Sequence, residues 1–326
     1  MKAKTISDVR GGYLLGILSG MTWGLDTVLI GVIMSIAPFT TSALLLVSGV
    51  FVCSFFHDAF AAMWMTLLLT YKKRIQLLVS KVKTRDGLFC ALGAILGGPI
   101  GMSFYMLAIK NAGPAYTATI TSSYPALGVA LAVVFLKEKL SMKGWFGLLV
   151  CISGIIWLSY EPVESALSPS VYMGILFAIV SAFGWALESV VCAYGMKSGN
   201  VTPEMALTIR ELSSFVTYGC LIVPLFCGGY HGVIEVITSN AMFWLLLTAL
   251  IGVTSYLAWY KSIDTIGASR AISLNVTYSF WTILFSVLLF GGTFSIKMLI
   301  CSLLIIGGVT LAVGKPKNVL KMVINE

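Results

Sequence analysis

The feature that most constrains this chain is a succession of apolar runs, each about as long as a bilayer is thick. A helix needs roughly 20 residues to cross about 30 Å of hydrocarbon. Runs of that length, rich in Leu, Ile, Ala and Gly, recur from Gly12 to Gly314, with most charges held to the breaks between them. Only 10% of the residues are charged and 58% are hydrophobic, against about 25% charged in a soluble domain. In hydrocarbon each backbone N–H and C=O must be satisfied within its own segment or a closed barrel. Unbroken runs of this composition suit helices rather than the alternating strands of a barrel. The chain is expected to be an all-α membrane protein.

The breaks predict ten helices, at 12–34, 42–70, 87–109, 114–136, 143–160, 171–196, 203–227, 240–261, 266–290 and 296–314. The second is the least defined, because the stretch from Ile36 to Leu69 exceeds one span and carries Pro38 near its start. The first apolar stretch, from Arg10 to about Ile36, exceeds the 7–15 residues of a signal-peptide core, so it is expected to remain as a span. With both termini placed in the cytoplasm, every Lys and Arg except Lys110, Arg210 and Lys297 falls at or near the inner face. That bias fixes the expected orientation. It also disposes of nucleic acid as the reason for a net charge of +8. The seven cysteines lie in apolar runs without metal-ligand spacing and are expected to pack as small hydrophobes. No cofactor or metal is implied.

The chain also repeats itself. Ser19-Gly-Met-Thr-Trp-Gly-Leu-Asp26 aligns without a gap to Ser181-Ala-Phe-Gly-Trp-Ala-Leu-Glu188, so Trp23 falls on Trp185 and Asp26 on Glu188. Further on, one constant shift pairs Gly98 with Gly252, Gly113 with Gly267, Tyr124 with Tyr278, Ser141 with Ser295 and Gly154 with Gly308. Two five-helix repeats, 1–165 and 166–326, are expected. An odd number of spans per repeat makes the second half enter the membrane inverted. Inverted repeats are how many secondary transporters build two facings of one midplane site. A small-molecule substrate and the lipid bilayer are the expected partners, and monomer and homodimer both remain open.

Ionisable groups within spans are costly and are functional candidates by default. They are Asp26, His57, Asp58, Glu188, Arg210 and Glu211. Asp26 and Glu188 each lie three residues after a Trp, so acid and indole share a helical face. Such a pair suits an organic cation: the carboxylate supplies charge and the ring faces attract an ammonium that donates no hydrogen bond. The plainer reading is that both Trp residues pack and the acids pair with Arg210 or the backbone. Arg210 and Glu211 point to different faces and need not pair with each other. His57-Asp58 could relay protons or cap the second span. Tyr124, Tyr256 and Tyr278 lie deep enough to line a cavity, with Asn275 three residues before Tyr278, whereas Trp64, Trp145, Trp244 and Trp259 fit the interfacial belt. Gly97-Gly-Pro-Ile-Gly101 is expected to interrupt the third helix.

Ten spans, a five-plus-five repeat, Tyr124-Pro125 and Lys137-Glu-Lys-Leu-Ser141 resemble the drug/metabolite transporter superfamily in its EamA-type branch. The likeness covers nearly the whole chain and implies the fold. Gly98-Pro-Ile-Gly-Met102, Trp185-Ala-Leu-Glu-Ser189, Ser255-Tyr-Leu-Ala258 and Leu274-Asn-Val-Thr-Tyr278 with Trp281 are similar to the bacterial choline permeases that serve phosphocholine decoration of surface glycans. That resemblance implies an aromatic box of Trp23, Trp185, Tyr256 and Tyr278, with Glu188 as counter-charge and Asn275 as a polar contact. Asp26 departs from the family pattern. It could serve, with Asp58 and Arg210, as a coupling group or charge partner. The expected activity is import of choline or a related quaternary ammonium compound by alternating access, with Glu188 as the candidate point of proton coupling. Export of amino acids or other metabolites is the alternative. No nucleophile, base cluster or nucleotide motif points to an enzyme.

Overall fold

The structure, a computed structural model, describes residues 5–121, 123–159, 169–291 and 296–313. Lys2, Lys4, Lys315, Lys317, Lys321, Ser295 and the expected repeat boundary at 165/166 lie outside them. The chain runs through α1 (Ile6–Met34), α2 (Leu45–Tyr71), α3 (Ile75–Val82), α4 (Arg85–Ile95), α5 (Ser103–Thr121), α6 (Tyr124–Phe135), α7 (Met142–Ser159) and α8 (Pro169–Met196). It continues through α9 (Pro203–Thr217), α10 (Val223–Phe226), α11 (His231–Ile237), α12 (Ala241–Ile266), α13 (Ala268–Asn275), α14 (Tyr278–Phe290) and α15 (Ile296–Val313). π-helical turns at Leu96–Met102 and Tyr218–Ile222 join α4 to α5 and α9 to α10. Among the described residues, eight helical runs are long and apolar enough to cross a membrane, and Tyr124–Phe135 and Met142–Leu158 are shorter apolar helices. The protein is a multi-pass integral membrane protein.

Local chemistry explains where several elements begin and end. Thr5 caps α1 reciprocally: its hydroxyl accepts from the Asp8 N–H at 3.2 Å while the Asp8 carboxylate accepts from the Thr5 N–H at 2.7 Å. The helix expected at 114–136 is divided between α5 and α6. Pro125 has no N–H to offer the Thr121 carbonyl, so one helix cannot run through. The helix expected at 266–290 is also divided, at Val276–Thr277, where the Thr277 hydroxyl bonds the Leu274 carbonyl at 2.7 Å and competes with the helical ladder. Gly267, with φ +89°, makes the sharp passage from α12 to α13 that a side chain would strain. The ill-defined stretch after Ile36 forms turns up to Leu44, with Phe39 buried against Gly49.

The packing is reciprocal. α1 lies along α12 and crosses α13 and α14, while α8 lies along α4 and α5 and crosses α6. α2 meets α9 and α12, α9 meets α2 and α4, and α7 pairs with α15. These are the contacts expected if α1 and α8 hold equivalent places in two related halves, each inserting its first helix into the other.

The α7–α15 contact depends on small residues, as close helix approach in lipid usually does. A Cβ at Gly308 would sit 2.5 Å from the Cys151 nitrogen and 2.6 Å from the Gly147 oxygen, whereas one at Gly307 would meet nothing. Gly308→Leu is therefore expected to cost about 1–3 kcal/mol through overpacking, and Gly307→Leu little. Thermal unfolding of the two variants in detergent checks this; equal midpoints would show that the contact is not tight.

Candidate functional site

Where the two halves meet, the intramembrane charges gather around Arg210 of α9. Its Nε donates to Glu188 Oε1 of α8 at 3.0 Å and its Nη1 donates to Glu211 Oε2 at 2.9 Å. Nη1 also lies 3.5 Å from Asp58 Oδ1 of α2. Nη2 donates to the Tyr256 hydroxyl of α12 at 2.9 Å, and the guanidinium carbon stands 4.2 Å from the centre of that ring. Asp58 takes a further bond from Ser214 Oγ at 2.5 Å. His57 extends the chain of charges, with Nδ1 3.6 Å from Asp58 Oδ1 and Nε2 3.2 Å from Asp26 Oδ1 of α1. Five helices are thus tied together by one network of largely buried polar side chains.

The network is acid-rich. Asp26, Asp58, Glu188 and Glu211 face Arg210 and His57, so with every group ionised the carboxylates still outnumber the cations. A buried charge without a partner costs several kcal/mol. The surplus gives the site an affinity for an added cation or proton.

Two glycine positions paired by the repeat make room for these groups. A Cβ at Gly97 would fall on the Glu188 carboxylate, and one at Gly98 would lie 2.5 Å from Ser214 Oγ. A Cβ at Gly252, the repeat counterpart of Gly98, would lie 2.5 Å from His57 Nε2 and 3.1 Å from Asp26 Oδ1. The segment around Gly97 does not interrupt the helix as expected. It forms a π-helical turn containing Pro99, a distortion often found at functional sites.

Aromatic rings surround the network in two matching groups. Trp23 contacts Tyr256 and Tyr278 at centroid distances of 4.9 and 6.2 Å. Trp185 contacts Tyr105 and Tyr124 at 5.4 and 5.6 Å. Between them lies a cavity of about 190 Å³, reached by Trp23, Asp26, Asp58, Trp185, Arg210 and Tyr256. Ile30, Met34, Val50 and Cys53 carry its lining toward the C-terminal end of α1.

Of the residues singled out in the sequence, Trp23, Asp26, His57, Asp58, Trp185, Arg210 and Tyr256 thus meet at one cavity, with Gly97 and Gly98 beside them. Glu188 stands behind Arg210 rather than on the lining, and Tyr124 and Tyr278 back the two indoles. Asn275 donates to Ser19 Oγ at 2.7 Å and ties α13 to α1, away from the cavity wall. Three expectations need correction. Arg210 and Glu211 do pair, because the long guanidinium arm folds back over its neighbour. His57 sits well inside α2 and caps nothing. Trp259 is buried against Tyr256 and Tyr260 rather than in an interfacial belt. Ser214 and Tyr105 were missed. The repeat shift pairs Tyr105 with Trp259, and that correspondence was the available signal; Ser214 offered none.

A two-half helical bundle that buries a charged, aromatic cavity at its centre defines a membrane transporter rather than an enzyme. Residues 10–160 and 172–314 each match the EamA-like transporter family. The chain belongs to that family. It is 27% identical over 300 residues to Protein LicB of Haemophilus influenzae, a match covering 91% of this chain and 96% of that one. A solved crystal structure of a protein superposes with a TM-score of 0.69 at 17% identity, covering 93% of this chain and 96% of its own, and shows the same fold.

Removing the central cation tests the network. Arg210→Met leaves three carboxylates facing one another and is expected to cost about 3–5 kcal/mol. The triple variant Glu188→Gln/Arg210→Met/Glu211→Gln should recover part of that loss in detergent melting curves. An Arg210→Met midpoint equal to wild type would mean that water already reaches the cluster.

Proposed function

We propose that this protein is a secondary transporter that imports choline or a related quaternary ammonium compound across the bacterial cytoplasmic membrane. In this reading ten spans form two inverted five-helix repeats, 1–165 and 166–326, with both termini cytoplasmic, and the central site is exposed alternately to each side.

The observation that carries the proposal is the cavity enclosed by Trp23, Trp185 and Tyr256 beside a surplus of carboxylates. A quaternary ammonium has no N–H to donate, so hydrogen-bond acceptors alone cannot select it. Ring faces can, at about 2 kcal/mol or more per contact when desolvated. The excess negative charge of Asp26, Asp58, Glu188 and Glu211 supplies the long-range attraction. Tyr124 and Tyr278 fix the two indoles. At about 190 Å³ the cavity falls below the roughly 300–1,000 Å³ typical of drug-sized ligands, which favours a small cation. Glu188, buried against Arg210, is the group proposed to couple proton movement to that of the substrate cation.

Closure at one end supports alternating access. Glu138, just after α6, accepts from the Ala268 and Ser269 N–H groups at 2.6 and 2.8 Å and from Ser269 Oγ at 2.5 Å. Arg270 returns a bond to the Lys139 carbonyl at 3.1 Å. At the same end Lys72 and Lys261 share Glu204. These contacts join the first half to the second on the positively charged side, while the cavity lining runs toward the other. The arrangement suits an outward-facing state of an importer. Export of an amino acid would need a cation for its carboxylate, and Arg210 is already engaged by Glu188, Glu211 and Asp58.

Uptake of labelled choline by cells expressing the protein is expected, with at least a tenfold loss in Trp185→Ala and in Glu188→Gln. Resistance to toxic amino-acid analogues without choline uptake would replace this reading with export. Separately, Glu138→Ala should speed hydrogen exchange at Ala268 and Ser269; unchanged exchange would rule out the carboxylate as the latch.

A further inference from the structure

A second cavity, larger than the central one and unconnected with its chemistry, lies between α1, α2 and α12. It measures about 530 Å³ and its walls are apolar, including Leu15, Leu18, Leu68, Val253 and Leu257. Lys261 lies at its rim, beside Tyr71, the last residue of α2. Lys72 follows directly, and its ammonium and that of Lys261 stand 3.3 and 3.2 Å from the same oxygen, Glu204 Oε1. Both side chains remain about one-third exposed, at 37% and 35%. An ammonium has three donors, so one shared carboxylate oxygen leaves each lysine able to bind another acceptor. Two ammoniums face the single Glu204 carboxylate, so the cluster at this end is net positive.

We propose that the cleft is a binding site for an anionic phospholipid, with one acyl chain lying among the leucines and the phosphate bridging Lys72 and Lys261. Three observations converge on that occupant. The walls belong to helices long and apolar enough to span the bilayer, so a chain already in the hydrocarbon enters without crossing water. The cations sit at the end of α2 and in the last turns of α12, where two spanning helices approach their ends. Basic clefts between spans are a recurrent form of headgroup recognition. The central cavity lacks the basic rim, since its charge surplus is negative.

The occupant would also touch the transport cycle. Lys72 belongs to the first half and Lys261 to the second, so a phosphate between them reinforces the closure that Glu204 makes.

Native mass spectrometry of the delipidated full-length protein tests the site, using phosphatidylglycerol, phosphatidylcholine with the same acyl chains, and inorganic phosphate. A discrete phosphatidylglycerol adduct is expected, bound about tenfold or more tightly than phosphatidylcholine. Lys72→Gln/Lys261→Gln should abolish the preference, and Leu257→Trp, which fills the cleft and leaves the lysines alone, should weaken the adduct. Retention of a single size-exclusion peak confirms that the variants fold, and Leu257→Trp serves alone if the lysine pair does not. Equal binding of both lipids to wild type, an adduct unaffected by Leu257→Trp, or phosphate binding as well as the lipid would each overturn the proposal. Choline uptake does not enter this readout, so the lipid site and the transport reading fail independently.

Discussion

One guanidinium holds the centre of this protein together. Arg210 reaches Glu188, Glu211 and Asp58 and lies against Tyr256, so α2, α8, α9 and α12 converge on one side chain. Lipid-facing surface gives little drive for helices to associate, because acyl chains are as apolar as leucine. Packing of small residues at α7–α15 and α1–α12 fills part of that need. The polar network favours this arrangement, since a buried acid left without a cation would cost several kcal/mol. In the importer reading proposed above, the same network serves function by remaining incompletely neutralised.

The architecture makes such a site by duplication. Trp23 and Trp185 hold matching places on α1 and α8, and each is backed by a tyrosine from the helix that follows a break, Tyr278 on α14 and Tyr124 on α6. The halves are not identical, however. Arg210 occupies the Tyr256 face in the second half, while the repeat shift puts Met102 in the corresponding place in the first.

Much of this was legible beforehand, for physical reasons. Span lengths follow from bilayer thickness, and every expected helix has a counterpart. The recurrence of Trp-x-Leu-acid pointed to Trp23, Asp26 and Trp185, which reach the cavity, and to Glu188, which stands behind Arg210. What stayed hidden depends on reach and backbone geometry. Adjacent residues on a helix diverge at Cβ, so the Arg210–Glu211 pair could not be read from spacing. Nor does any pattern of apolar residues distinguish a π-helical turn at Leu96–Met102 from a break. Asn275 matched the expected motif, yet its amide is held by Ser19. The cleft beside Lys261 was invisible because α12, far along the chain, forms it together with α1 and α2.

The most direct test of the central claim is calorimetric titration of the detergent-purified protein with choline, with ethanolamine and an amino acid as controls. The account predicts choline binding in the micromolar range, lost in Trp185→Ala and weak for ethanolamine, because ring faces favour an ammonium that carries methyl groups instead of N–H donors. Equal binding of choline and ethanolamine, or no heat from choline at all, would contradict it.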